Sequence, residues 1–153
     1  MAYASSTSVS VSKTKVEIEN LLRKHGATGF GFFEERARGM VVFEMHHRRI
    51  RFVIPIPDKM ETRFIRTSHG RTRSVESCLA AWEQACRSRW RALLLCIKAK
   101  LESVEAGIES FEDSFLSHIQ MPDGQTVGEL VRPRIEHAYT HQEMTPLLPA
   151  PKA

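Results

Sequence analysis

The sequence has no apolar run approaching the roughly 20 residues that cross a bilayer, so no membrane-spanning segment and no membrane partner are expected. It opens on MAYASSTSVSVSKTK, without early positive charge or an apolar stretch, which excludes the pattern of a secretory signal. Residues 1–13 read instead as a flexible Ser/Thr-rich arm. Cysteine is scarce: Cys78, Cys86 and Cys96 form no CxxC pair. On one helix rising about 1.5 Å per residue, Cys78 and Cys86 stand about 12 Å apart, too far to bridge. Reduced thiols in a cytoplasmic protein follow, with Cys86 as ordinary core.

The motifs of several enzyme classes are missing as well. There is no GxSxG, no P-loop and no GxGxxG, and Gly29-Phe30-Gly31 is followed by no Lys-Ser/Thr pair. Cys86 and Ser74 have no recognisable catalytic partner pattern. His137 and His141 have the i, i+4 spacing of a zinc pair, but Glu136 to His141 lacks the internal Glu and offers no evident third ligand. The acids Glu109, Glu112 and Asp113 suit a helix dipole better than Mg²⁺. No enzyme, metal or cofactor is expected.

What the sequence does have is an uneven charge distribution. Thirteen of its 22 Lys and Arg fall between Arg36 and Arg91, against five acids, a local excess of eight. The remainder is net acidic, and the formal charge of +4 conceals this polarity. Arg dominates the window, and its planar fork suits phosphate and flat rings. A polyanion, most simply nucleic acid, is the partner such a stripe attracts.

With 153 residues, 42% of them hydrophobic, and a mean hydropathy of −0.29, the chain is large enough for one globular domain, placed at 14–143. Thr14 is the expected cap of a first helix through Val16, Ile18, Leu21 and Leu22, closed by Gly26. Three strand-like runs follow: Gly29–Glu34, Met40–Met45 and Ile50–Ile56. Short connections make them an antiparallel meander, and Pro55 and Pro57 mark an exposed edge. Residues Asp58–Arg73 have no period and read as a mobile loop. Ser74 then caps a long helix to about Ala106, with an apolar stripe of Leu79, Trp82, Cys86, Trp90, Leu93, Ile97, Leu101 and Val104. Two shorter helices, Ser110 to about Ile119 and Thr126 to about Tyr139, complete the core, with Pro133 expected to kink the second. The tail, 144–153, reads as extended and proline-rich. The fold class is α+β.

Three sources of positive charge stand out. Arg49 and Arg51 share one sheet face with Arg48 at the hairpin tip. Arg63, Arg66, Arg71 and Arg73 lie on the loop. Arg87, Arg91 and Lys98 occupy one flank of the long helix. Together they are expected to wall one groove, with Phe33 and Phe64 as lesser candidates for base stacking and His46-His47 beside it for phosphate contact. Trp82 and Trp90 fall on the apolar stripe and read as core. Leu95, with Ala92 and Ala85, gives the back of the long helix an apolar character suited to a neighbouring copy.

The stretch from Lys15 to Pro149 resembles a group of small proteins encoded by tailed phages and prophages. The matching residues are Glu17-Ile18-Glu19-x-Leu21-Leu22 with Gly26-Ala27, Arg51-Phe52-x-Ile54-Pro55-x-Pro57, Ala81-Trp82-Glu83-Gln84-Ala85-Cys86-Arg87 with Arg89 to Leu93, and Met121-Pro-Asp-Gly-x-Thr-Val. The element order helix, meander, long helix is also similar to the core of Rad52-type single-strand annealing proteins. Double-stranded-RNA-binding domains share it, but Ser74-Val75-Glu76-Ser77 departs from their lysine-rich second helix. The annealing resemblance implies an oligomer that binds single strands along a basic groove, and the phage resemblance implies the bacterial host cytoplasm. The expectation is therefore a phage protein that binds single-stranded DNA in annealing, recombination or replication. Its contacts would be Arg48, Arg49, Arg51, Arg63, Arg66, Arg71, Arg73, Arg87 and Arg91. The alternative is an interaction protein that inhibits or sequesters a host defence component or nucleotide signal.

Overall fold

The computed structural model describes residues 4–148 and 150; the start of the arm and the end of the tail lie outside the described residues. The chain folds as α+β in the order α1 (Val11–Lys24), β1 (Gly29–Glu35), β2 (Arg38–Met45), β3 (Arg48–Pro55), α2 (Thr62–Ile65), α3 (Val75–Glu105), α4 (Phe111–Phe115), a 3-10 turn (Leu116–His118) and α5 (Val127–His141). Among the described residues no helix is long and apolar enough to cross a membrane.

Helix α1 starts earlier than its sequence signal. Ser10, not Thr14, is the cap: its Oγ accepts from the Lys13 amide at 3.2 Å. Thr14 lies one turn inside, fully buried, its hydroxyl without a partner. The described end of the arm packs rather than projects, because Ala4 is buried and the carbonyls of Ser5 and Thr7 accept from the Gln84 side chain. At the other end Gly26 (φ +85°) allows the Gly26 and Ala27 amides to reach the carbonyls of Arg23 and Leu22.

The three strands form one antiparallel sheet in the order β1-β2-β3. Their alternation sends Val41, Phe43 and Met45 of β2 and Ile50, Phe52 and Ile54 of β3 to a buried face. That face packs against Ile18 and Leu22 of α1 and Trp90, Leu94 and Ile97 of α3. Phe115 closes one end, edge-on to both Phe43 and Phe52. The β2–β3 turn is His46-His47, both at positive φ (50° and 58°), as a type I′ hairpin demands.

Helix α3 is capped by Ser74, whose Oγ accepts from the Ser77 amide, and runs 31 residues to Glu105. Its buried stripe is Cys86, Trp90, Leu93, Leu94, Ile97 and Leu101. Near the start of the helix, beside the segment that follows β3, Leu79 is exposed and Trp82 half-buried. Leu95 is half-buried in a groove beside Asn20 and Leu21 of α1. Helix α5 carries the capping box of Thr126 and Glu129 and continues through Pro133 to His141, yet buries none of its 15 residues. Beyond it, the guanidinium of Arg134 donates to the carbonyls of Pro146 and Leu148, so this part of the tail folds back on α5.

Candidate nucleic-acid interface

The structure separates the basic residues that the sequence places together. Arg49 and Arg51 do share the open face of the sheet, but each is engaged by a carboxylate. Arg49 pairs across the strands with Glu44 at 2.6 Å, and Arg51 pairs with Glu129 of α5 at 2.5 Å. Arg48 points to the other side, 3.7 Å from Glu112. Arg48 and Arg49 line a polar cleft with His46 and His47 at the β2–β3 turn. The His46 ring rests on Phe111, with centroids 4.7 Å apart. Arg91 faces α1, where it holds Glu17 at 2.6 Å.

A different set of cations meets at the opposite end of β2, a strand of eight residues that spans about 24 Å. There the β1–β2 turn brings Arg36, the segment after β3 brings Ile56 and Lys59, and α3 brings Trp82, Glu83, Cys86, Arg87 and Trp90. With Ser10 and Val11 of α1 and the end of β1, these residues line a cavity of about 580 Å³. Its floor is apolar. Trp82 is held by its indole N–H, which donates to the Pro57 carbonyl at 2.7 Å, and Lys59 Nζ lies 4.2 Å from the centre of its ring. Arg87 donates to the Gln84 side chain rather than to an acid. Of the lining acids, Glu34 is taken by Lys15 at 2.6 Å and Glu35 by Arg38 at 2.7 Å, a pair that holds the Glu35 carboxyl below its ordinary value. Burial pushes the Cys86 thiol up, with Glu34 adding to the effect, so the floor holds a neutral thiol.

Residues 58–73 form an ordered segment beside this cavity, where the sequence suggested a mobile loop. The Asp58 side chain accepts from the Met60 amide, and the Glu61 side chain from the Asp58 amide. Phe64 is buried, and a bridge between Arg66 and Thr72 closes a turn around Gly70 (φ +76°). Phe64 anchors the segment and is not available for stacking. Arg63 pairs with Glu61 at 2.6 Å, and Arg73 Nε donates to the Arg66 carbonyl. Arg66 and Arg71 are exposed, and no ion pair engages their guanidiniums among the described residues. Of the nine arginines, then, Arg63, Arg66, Arg71, Arg73 and Arg87 share one pole, while Arg48, Arg49, Arg51 and Arg91 do not. Arg36 and Lys59, which lie in the basic window but not among the nine expected contacts, join the pole, and so does Trp82. The signal for them was the Pro55/Pro57 pair, which turns the chain from β3 back onto α3.

The remaining candidates have structural partners. The rings of His137 and His141 stack at 4.2 Å, and no group of three metal-ligating side chains occurs among the described residues. Glu109 accepts from Ser103 Oγ, Glu112 faces Arg48, and Asp113 accepts from Ser110 Oγ. Phe33 is exposed on the open sheet face, its ring over Gly31. Compared with known proteins, the chain matches no protein-family model, no curated protein and no solved structure.

Proposed function

We propose that the protein binds single-stranded nucleic acid, with little sequence preference, at the pole formed by residues 58–73 and the N-terminal half of α3. One observation carries this reading: Arg66 and Arg71 stand exposed on an ordered segment with no carboxylate partner among the described residues, and the same segment carries the exposed Lys59 at its start. Arginines held out on a fixed backbone lose little freedom when they grip phosphate. Arg63, Arg66, Arg71, Arg73 and Arg87 would hold the backbone, joined by Arg36 and Lys59. Arg48, Arg49, Arg51 and Arg91 leave the contact set because each lies away from this pole, beside a carboxylate of its own. The role that fits is phage DNA annealing, recombination or replication in the host cytoplasm. Anisotropy titration with single- and double-stranded oligonucleotides tests it. Affinity for single strands should fall steeply as salt rises. Absence of binding at low salt refutes it.

A second reading, an interaction protein that occupies a host component, draws on α5. Ile135 and Tyr139 are exposed on this helix, and Leu147 and Leu148 on the segment folded against it. Exposed apolar side chains gathered on one element mark a surface that a protein covers. Light scattering separates the readings: a large closed ring favours annealing, a monomer or dimer favours the host target.

A further inference from the structure

We propose that the cavity between Trp82, Arg87 and the β1–β2 turn is a nucleotide site, which takes one heteroaromatic base with its phosphate. The inference deepens the single-strand reading and rests on it for the source of the ligand in the cell.

Three features of the cavity define the ligand chemistry. The first is its apolar body. The wall formed by Ile56, Trp82, Cys86 and Trp90 is largely apolar and suits a flat ring. The indole of Trp82 is fixed in place by its bond to the Pro57 carbonyl, so its plane is set before any ligand arrives.

The second is the rim. Arg36, Lys59 and Arg87 come from three separate segments and have no carboxylate partner among the described residues. Two of the three lining acids are already neutralised from outside, by Lys15 and Arg38, which leaves Glu83 alone against three cations. An apolar slot with an excess of positive charge at its mouth selects a ligand that is flat and apolar at one end and anionic at the other. A nucleoside monophosphate has this form.

The third is the place of Lys59. Its ammonium lies over the Trp82 ring, where a base would stack, and it is otherwise exposed. A base entering the slot would replace one ring-face contact by a larger one. Lys59 would be released to the phosphate on a side chain long enough to follow it. The cavity volume of about 580 Å³ lies within the range of small-molecule sites. Free nucleotides and one residue of a bound strand present the same chemistry.

Amide NMR titration of the full chain with 5′-dTMP, 5′-AMP, thymidine and inorganic phosphate tests this, alongside a dT oligonucleotide. The mononucleotides are expected to shift the amides of Val11, Arg36, Cys86 and Arg87 and to quench Trp82 fluorescence, a signal assigned by its loss in Trp82→Phe. Thymidine and phosphate alone should each bind at least tenfold more weakly. Lys59→Gln and Arg87→Gln should each weaken dTMP at least threefold. Arg36→Gln, on an exposed turn without side-chain bonds, keeps the test informative if either of those misfolds. If no mononucleotide moves these amides at millimolar concentration, or if phosphate binds as tightly as dTMP, the site is refuted, even where the oligonucleotide binds through the 58–73 arginines. If mononucleotides bind and the oligonucleotide does not, the site stands and the single-strand reading falls.

Discussion

Arg51 on the open sheet face and Glu129 in the first turn of α5 form an ion pair at 2.5 Å across 78 residues of sequence. The Arg51 side chain is only 19% exposed, and its Nε is buried without a hydrogen bond. Glu129 also accepts from the Thr126 amide at 2.7 Å, so one carboxylate serves both a helix cap and a tertiary tie. An arginine that the strand pattern presents as a phosphate ligand is therefore a fastener for α5.

Glu129→Ala should destabilise the protein by about 1–2 kcal/mol, since it removes a capping residue and leaves a half-buried guanidinium unpaired. Urea denaturation measures this. Glu129→Gln keeps a side-chain acceptor for the Thr126 amide and should cost less; an equal loss from both would mean that the charge on Glu129, and not the cap, carries the effect.

Nucleic-acid binding should divide the arginines. Arg66→Gln and Arg71→Gln should each lower the salt slope of single-strand affinity by about 0.7, the share of one phosphate contact. Arg48→Gln, Arg49→Gln and Arg91→Gln should leave the slope unchanged. Salt titrations by anisotropy decide, and equal effects in both groups would restore a single continuous groove.

Gly39 sits under the buried indole of Trp90, where an added Cβ would lie 2.8 Å from Trp90 Cζ2. That ring is wedged against Phe32, and Trp90 as a whole is 1% exposed, so it has little room to retreat. Gly39→Ala should lower stability by about 1–3 kcal/mol through overpacking. A lower urea midpoint at unchanged slope is the expected signature.

Stability should also fall in mild acid. His118 stacks on Phe52 at 3.9 Å, and burial, with Lys100 nearby, lowers its pKa from the ordinary 6.5. A folded pKa below the unfolded one means that stability is complete above 6.5 and declines as pH falls below it, because the unfolded chain takes up the proton first. Glu129, lowered from 4.5 by the Thr126 amide, desolvation opposing, and then by Arg51, acts in a separate, more acidic window; its contribution is present above 4.5 and lost as pH falls through its depressed value. Melting temperatures at pH 7.5 and 5.5 should differ in the parent and converge in His118→Leu, where an apolar side chain keeps the contact with Phe52.

The sequence by itself determined the elements. Alternation in Ile50-Arg51-Phe52-Val53-Ile54, the caps Ser74 and Thr126, and the closing Gly26 are local signals, and local backbone chemistry obeys them. The same signals misplaced the start of α1, because Ser10 and Thr14 are both competent caps and only the packing of residues 4–10 against α3 selects the first. They also misread residues 58–73, whose order comes from the burial of Phe64 and from bonds that have no periodicity.

What only the tertiary structure decided is which charges are free. Helical phase places Arg87 and Arg91 on one flank of α3, yet Arg87 opens on a cavity and Arg91 is taken by Glu17 of α1. A strand pattern reports the face on which Arg49 and Arg51 lie and says nothing of Glu44 or Glu129 arriving opposite them. A carboxylate neutralises an arginine through a few ångströms of space, and that distance is set by how the elements pack rather than by their order along the chain.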